Sequence, residues 1–179
     1  MQVYDKKQHK EVTWTPRNAN GSFSGDSIPL KSAFAKSINS VAVRLGQEMG
    51  IKRIIETAKK MGITSPLDDE PSLALGSSDV TLLQMVNAYC VIADNGKHHD
   101  PVLVTRILDK DGNEVYVGPT KSEQVIPYKS AFLMQQMLQG GLREPGGTSQ
   151  SLLGYVGNYR DTEFGGKTGT TNNHSDAWF

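Results

Sequence analysis

The chain has 179 residues, of which 37% are hydrophobic, which suits one globular domain or a large piece of one and excludes a disordered chain. Its 19 basic residues balance 19 acidic ones, so no strong field favours a nucleic acid partner. No apolar run approaches the ~20 residues of a membrane span. The polar residues that follow Met1 do not resemble a signal peptide.

The first 50 residues predict a loop-rich entry and two helices. Residues 1–27 are polar and rich in turn formers. Ser27 can cap a first helix, with Pro29 in its first turn. Apolar residues at helical spacing over 41–49 predict a second helix. Serine and asparagine at 36–40 compete with helical hydrogen bonding, so the sequence predicts a break there.

The middle of the chain predicts two further helices. An apolar stripe from Ile51 to Ala58 indicates the third, which Gly62 ends. Residues 63–78 contain prolines and glycine and predict a loop. Asp79 can cap the fourth helix. The helix holds a run of apolar residues with the one cysteine, namely Leu82, Leu83, Val86, Tyr89, Cys90 and Ala93, and Cys90 is expected to be a small core residue.

A β-hairpin is predicted next, from Val102 to Val117, because β-rich runs flank an Asp-Gly turn. The adjacent His98 and His99 would point to opposite sides of a strand, which argues against a shared metal ion. The sequence therefore predicts no metal site at this pair.

The last third predicts a helix, a short helix and a strand. Pro127 begins the helix, with Ala131, Met134, Met137 and Leu138 inward, and Gly140-Gly141 would end it. Thr148 can cap a short helix that runs through Leu153. A strand is expected from Phe164 to Thr170.

That strand contains Lys167, Thr168, Gly169 and Thr170, the residues best suited to bind a ligand. Alternation would put Lys167 and Gly169 on one face and Thr168 and Thr170 on the other. Gly169 lets another molecule approach the backbone closely. Lysine supplies a positive charge and the threonines supply hydroxyls. The combination suits a ligand with a carboxylate and a nearby carbonyl.

Three other interpretations of residues 164–176 compete with this one. A phosphate-binding loop would need glycine where Asp161 stands, and a helix where 171–176 predict a turn. A glycine-rich turn between strands stays open. His174-Ser175-Asp176 invites comparison with a catalytic triad, but the residues of a triad converge from separate elements, so it is set aside.

Five segments together carry a resemblance that no single motif would support. They are Trp14-Thr15-Pro16-Arg17-Asn18, Leu30 to Gly50 with Ser37-Ile38-Asn39 inside, Ser72 to Ser77, Ala88 to Gly96, and Lys167-Thr168-Gly169-Thr170-Thr171 with Asp176-Ala177-Trp178-Phe179. In this order they resemble the transpeptidase domain of class A, bifunctional penicillin-binding proteins over nearly the whole chain. The implied fold is α/β, part of the serine β-lactamase type, with an antiparallel sheet flanked by helices.

The family also carries a Ser-x-x-Lys motif that supplies the acylated serine. No lysine in this chain has serine three positions earlier. The family places that motif upstream, so residues 1–179 are expected to be the carboxyl-terminal part of a transpeptidase domain. We expect the chain to lack the Ser-x-x-Lys segment and the final strands and helix.

The resemblance implies a D,D-transpeptidase that cross-links peptidoglycan stem peptides and is acylated by β-lactam antibiotics. The absent serine would attack the penultimate D-Ala carbonyl, and an amine of a neighbouring stem would resolve the acyl-enzyme. The parent, the longer protein containing this chain, would have a glycosyltransferase domain and an amino-terminal membrane anchor. It would lie on the outer face of the bacterial cytoplasmic membrane. No cofactor, metal or nucleic acid is implied.

The resemblance also implies roles for the residues present. Ser37 would relay a proton to the leaving group, and Asn39 would bind an amide of the acyl chain. Lys167 and Thr168 would hold the substrate carboxylate. Gly169 would lie against the substrate, and the Thr170 N–H would be an oxyanion donor: the candidate site residues are Ser37, Asn39, Lys167, Thr168, Gly169 and Thr170.

Two other functional classes stay open, and Ser37 and Asn39 also have an explanation that involves no function. The chain could belong to a noncatalytic wall-binding module, or to a penicillin-reactive D,D-carboxypeptidase or β-lactamase. Ser37 and Asn39 could also be helix punctuation alone. The transpeptidase interpretation requires Ser37 and Lys167 to face each other across one cleft, within one water-mediated step of about 3–6 Å.

Overall fold

A computed structural model describes residues 2–5, 9–157, 161–170 and 177–179. These residues form six α-helices: α1 Leu30–Ala35, α2 Asn39–Met49, α3 Ile51–Lys60, α4 Leu82–Ala93, α5 Tyr128–Arg143 and α6 Leu153–Val156. The strands are β1 Gln2–Asp5, β2 Lys10–Thr13, β3 Lys97–His99, β4 Arg106–Leu108, β5 Glu114–Val117, β6 Ser122–Gln124, β7 Gly169–Thr170 and β8 Ala177–Trp178. Two 3-10 helices span Pro71–Leu75 and Gln150–Leu152.

The strands pair in four two-stranded antiparallel sheets: β1 with β2, β3 with β6, β4 with β5, and β7 with β8. The predicted hairpin is confirmed as β4–β5, a sheet of its own. Asp109 fixes its turn, since Oδ1 accepts the N–H groups of Asp111 and Asn113 at 2.8 and 2.9 Å. The side-chain amide of Asn113 donates to Oδ2 at 2.9 Å, and this bond, with the backbone bonds, lowers the pKa of Asp109.

The predicted break between the first two helices is confirmed at residues 36–38, but the cap at Ser27 is wrong. Helix α1 begins at Leu30, after Pro29, and has no side-chain cap. A residue that precedes proline is restricted away from helical geometry, so the helix cannot start before Pro29.

The fourth helix likewise begins later than predicted. Thr81, not Asp79, is the cap of α4, and its hydroxyl accepts the N–H of Gln84 at 3.3 Å. Ala88 and Val91 are the buried residues of this helix. The described chain packs only one side of an apolar helix, against α5 and β3. Cys90, which was expected to be a core residue, is therefore exposed, as are Leu82, Leu83, Val86, Tyr89 and Ala93.

Helix α5 does not end at Gly140-Gly141 but runs to Arg143, and it packs on α1 and α4. Both glycines are buried. A Cβ on Gly141 would come within 3.3 Å of the Ser149 hydroxyl, so glycine allows a close approach inside the helix. Packing thus overrides the weak helix preference of glycine. Of the four residues predicted to be inward, Ala131 and Leu138 are buried, and Met134 and Met137 are partly exposed.

Two predictions near the carboxyl end are also wrong. Thr148 caps no helix: the 3-10 helix Gln150–Leu152 follows Ser149 and has no side-chain cap. The strand expected from Phe164 is paired only over β7. Upstream of β7 the backbone bonds to α5 instead, since the N–H of Gly166 donates to the carbonyl of Leu138 at 3.1 Å.

The 3-10 helix at Pro71–Leu75 supports α2, the helix that begins at Asn39 of the Ser-x-Asn motif. This 3-10 helix packs on α2. A Cβ on Gly46 of α2 would lie 2.9 Å from the Cβ of Ala74, so the two elements approach as closely as a glycine allows. Within the described residues, no helix is long and apolar enough to cross a membrane.

Candidate active site

Ser37 lies at the break between α1 and α2, in the left-handed position of a helix C-cap. Its φ is 54°, which residues with a side chain seldom adopt. The N–H of Ser37 donates to the carbonyl of Phe34, and that of Ile38 to Ala33, both at 3.0 Å. These bonds form the Schellman motif, in which glycine is the usual residue. The motif fixes the backbone that carries the Ser37 hydroxyl.

The Ser37 hydroxyl contacts the amine of Lys167. The two residues are 130 positions apart, and Lys167 Nζ donates to Ser37 Oγ at 2.7 Å. The predicted meeting is confirmed, and it is a direct hydrogen bond rather than a water-mediated one. A helix cap and a turn residue with unrelated roles would have no reason to meet in this way.

The amine of Lys167 is half-buried, and burial lowers its pKa below the ordinary value of 10.5. Nζ also donates to the carbonyl of Thr168 at 3.0 Å. The amine lies 6.0 Å from the centre of the Phe34 ring, at the outer limit of a cation–π contact. As pH rises through the lowered pKa the ammonium charge is lost, so any anion that it holds is released on the basic side.

Asn39 is the first residue of α2, and a distant segment holds it. Its amide Nδ2 donates to the carbonyl of Arg17 at 2.8 Å. The neighbouring Asn18 accepts the N–H of Ser40 through Oδ1 at 3.1 Å. We call this pair of hydrogen bonds, Arg17–Asn39 and Asn18–Ser40, the clasp. Among the described residues, no hydrogen bond reaches Asn39 Oδ1, which can therefore accept one from a ligand.

The clasp corrects the interpretation of Asn39 as helix punctuation, whereas Ser37 does end α1 in a Schellman motif. Ile38 is the N-cap of α2, and no side chain of the helix's own first turn caps it. The orphan N–H of Ser40 is bonded instead by Asn18, which lies 22 positions earlier. Asn39 is thus held by the clasp rather than used as a cap.

The Lys-Thr-Gly segment leads directly into β7, where Gly169 pairs with Trp178 and Thr170 with Ala177. Gly169 is exposed, so its backbone can be approached. The expected alternation of faces presupposed a longer strand and does not apply to Lys167 and Thr168, which precede β7.

Sequence reasoning missed the contribution of Thr148 to the site. The hydroxyl of Thr168 lies 2.8 Å from that of Thr148, a residue that the sequence predicted to be a helix cap. Arg17 and Asn18 were noted as part of a motif but were given no role. His174-Ser175-Asp176 lies outside the described residues.

Together these groups place a positive charge beside hydroxyl groups. The structure brings Ser37, Lys167 and Thr168 into one bonded cluster, and Gly169 and Thr170 follow on β7. A positive charge and hydroxyl donors suit a carboxylate. Ser-x-Asn and Lys-Thr-Gly are two of the motifs of the protein class that includes serine β-lactamases and penicillin-binding proteins.

Within that class, the chain belongs to the penicillin binding protein transpeptidase domain family, whose model matches residues 1–177. Penicillin-binding protein 2D of Bacillus subtilis is 35% identical over 170 residues, which cover 94% of this chain and 24% of that protein. The chain thus spans about a quarter of the length of this curated relative.

Solved structures agree on the fold. The crystal structure of penicillin-binding protein 1A from Haemophilus influenzae superposes with a TM-score of 0.78 at 25% identity, and covers 96% of this chain and 30% of that one. The D,D-transpeptidase domain of a peptidoglycan glycosyltransferase from Eggerthella lenta gives a TM-score of 0.70 at 20% identity, with 94% and 46% coverage. The described helices and antiparallel sheets are part of this α/β fold.

Proposed function

We propose that the chain is the substrate-holding part of a D,D-transpeptidase that cross-links peptidoglycan stem peptides. The observation that carries the proposal is the hydrogen bond from Lys167 to Ser37, which joins the two motifs across 130 positions. Family membership and the names of the relatives support the same activity. The nucleophile would come from a Ser-x-x-Lys segment of the parent, because no such motif occurs in this chain.

The terminal carboxylate of the stem peptide would bind at Lys167 and Thr168. The ammonium supplies charge, and the threonine hydroxyl supplies a directional donor. Penicillins carry a carboxylate near their reactive carbonyl, so the same two groups would hold them. Asn39 would use its Oδ1 to accept an amide N–H of the acyl chain.

The direction of the Lys167–Ser37 bond supports a proton relay. Ser37 Oγ accepts from Lys167, so its own hydroxyl proton is available for another acceptor. In the reaction that acceptor would be the nitrogen of the departing D-Ala, which must gain a proton as its bond to the carbonyl breaks. The N–H of Thr170 would stabilise the oxyanion, together with the N–H of the nucleophile.

The partners would be stem peptides and β-lactam antibiotics, on the outer face of the cytoplasmic membrane. The anchor and the glycosyltransferase domain would lie in other parts of the parent. Transpeptidation and hydrolysis use the same acyl-enzyme, so analysis of the products from stem-peptide dimers separates a transpeptidase from a D,D-carboxypeptidase or a β-lactamase.

The test is acylation of the parent by a fluorescent penicillin. Lys167→Ala should lower the acylation rate by about 100-fold or more, because it removes the charge that holds the ligand and one member of the proton network. Lys59→Ala, on the exposed face of α3, is the matched control and should leave the rate unchanged. The 179-residue chain alone should form no adduct that survives denaturation.

An adduct that maps to this chain would contradict the assignment of the nucleophile to another segment. A parent that is not labelled at all would point to the noncatalytic wall-binding module. Equal rates for the two alanine variants would remove Lys167 from the site.

A further inference from the structure

Thr148 is hydrogen-bonded both to the end of α1, which leads to Ser37, and to Thr168 of the Lys-Thr-Gly segment. Its N–H donates at 3.0 Å to the carbonyl of Ala35, the last residue of α1 and two residues before Ser37. Its hydroxyl lies 2.8 Å from the hydroxyl of Thr168 and 3.4 Å from the same Ala35 carbonyl. One residue therefore bridges the helix that leads to Ser-x-Asn and the Lys-Thr-Gly segment.

The loop before Thr148 is held in place by its own contacts. Glu144 pairs with Lys31 of α1, with 3.2 Å between Oε1 and Nζ. Gly147 packs so tightly that a Cβ there would clash with the carbonyl oxygen of Gly141. The position of the Thr148 hydroxyl is thus set by the protein before any ligand binds.

Each hydroxyl has its own proton, but only one of the two can donate in the bond between them, and which one donates matters for the ligand. If Thr168 donates to Thr148, then Thr168 presents only lone pairs and repels a carboxylate. If Thr148 donates to Thr168, the proton of Thr168 is free to point at the ligand. The 2.8 Å bond forms with either hydroxyl as donor, and Thr148 can instead donate to the Ala35 carbonyl at 3.4 Å. A ligand carboxylate is a stronger acceptor than a hydroxyl and draws the Thr168 proton, which leaves Thr148 as the donor between the two threonines.

We propose that Thr148 is a positioning residue that donates to Thr168 and so turns the Thr168 hydroxyl into a donor for the ligand carboxylate. This inference rests on the proposed function and adds a residue to that site. Thr148 itself does not touch the ligand. Since Thr148 is exposed, water partly replaces its hydroxyl when it is removed, and the effect is modest.

The experiment compares acylation of the parent by a penicillin and by its methyl ester. The ratio of the two second-order rates measures how strongly the site prefers the carboxylate. Thr148→Val removes the hydroxyl and keeps the shape, and it should lower the ratio about 5- to 10-fold. Thr148→Ser should restore the ratio to within about 2-fold. Thr120→Val, at another exposed threonine, should leave it unchanged.

All rates are normalised to the fraction of each preparation that can be acylated. If Thr148→Val folds poorly, Thr148→Ala serves as a second variant without the hydroxyl. A fall of both rates by the same factor would mean that Thr148 only supports the loop, and would overturn the inference. An unchanged ratio in the Thr148 variants would also overturn the inference. The proposed function would still stand in that case, provided that a penicillin acylates the wild-type parent. A wild-type parent that no penicillin acylates would overturn both.

Discussion

Ser37 occupies a backbone position that favours glycine. A residue with a Cβ at a left-handed φ costs about 1 kcal/mol relative to glycine. The Schellman bonds around it need no side chain, so the fold gains nothing from serine there. What the hydroxyl provides is the acceptor for Lys167 at 2.7 Å. Local strain at this residue therefore points to function rather than to stability.

The strain can be measured with two variants that both remove the hydroxyl. Ser37→Gly should be about 1 kcal/mol more stable than Ser37→Ala in urea denaturation of the parent, because only glycine adopts the left-handed φ at no cost. Both variants should lose penicillin acylation by at least about 10-fold. Equal stabilities would show that the φ of 54° carries no strain. Full acylation in either variant would remove Ser37 from the proton relay.

At the scale of elements, the clasp connects the entry segment to the start of α2. Helix α2 has no side-chain cap of its own, and its orphan N–H at Ser40 is satisfied by Asn18. The reciprocal bond from Asn39 to Arg17 orients the amide that would meet the ligand. The segment thus combines a capping role with a positioning role.

Replacing Asn18 separates those roles. Asn18→Ala should cost about 1 kcal/mol of domain stability and lower acylation, since α2 loses its cap and Asn39 loses its support. Asn18→Asp keeps the acceptor and adds a negative charge at a helix N-terminus, so it should retain at least wild-type stability. Urea denaturation and penicillin acylation of the two variants in the parent are the measurements. A destabilised Asn18→Asp variant would argue that the amide bond to the Ser22 carbonyl matters more than the cap.

Local patterns predicted the elements better than their ends. The breaks at 36–38 and after Met49 are encoded by residues within a turn of them, and both appear in the structure. Capping by Asn18, by contrast, comes from 22 positions away. The glycines of α5 are explained only by what packs against them. Thr148 was misassigned for the same reason, because its partners lie on other elements.

At the scale of the whole molecule, α4 presents an apolar face that no described residue covers. Leu83 is 61% exposed and Val86 51% exposed. Four other large apolar side chains lie exposed on the same helix or on its neighbour α5: Leu82, Tyr89, Phe132 and Leu133. A contiguous apolar patch of this kind marks a contact surface in a folded protein. The hairpin strand β5 is a second apolar candidate, with Val115 and Val117 exposed at 62% and 60%.

Sedimentation velocity on the isolated 179-residue chain can tell the two surfaces apart. We expect the chain to self-associate through the α4 face, because burying apolar surface favours association. The double variant Leu83→Lys and Val86→Lys should sediment as a monomer, since it places two charges in the centre of that face. Val115→Lys and Val117→Lys are the matched control, with similar exposure and the same gain of charge, and should still associate. If the Val115 and Val117 double variant were monomeric and the Leu83 and Val86 double variant still associated, the contact surface would be formed by the β5 side chains. The apolar face of α4 would then remain exposed to water.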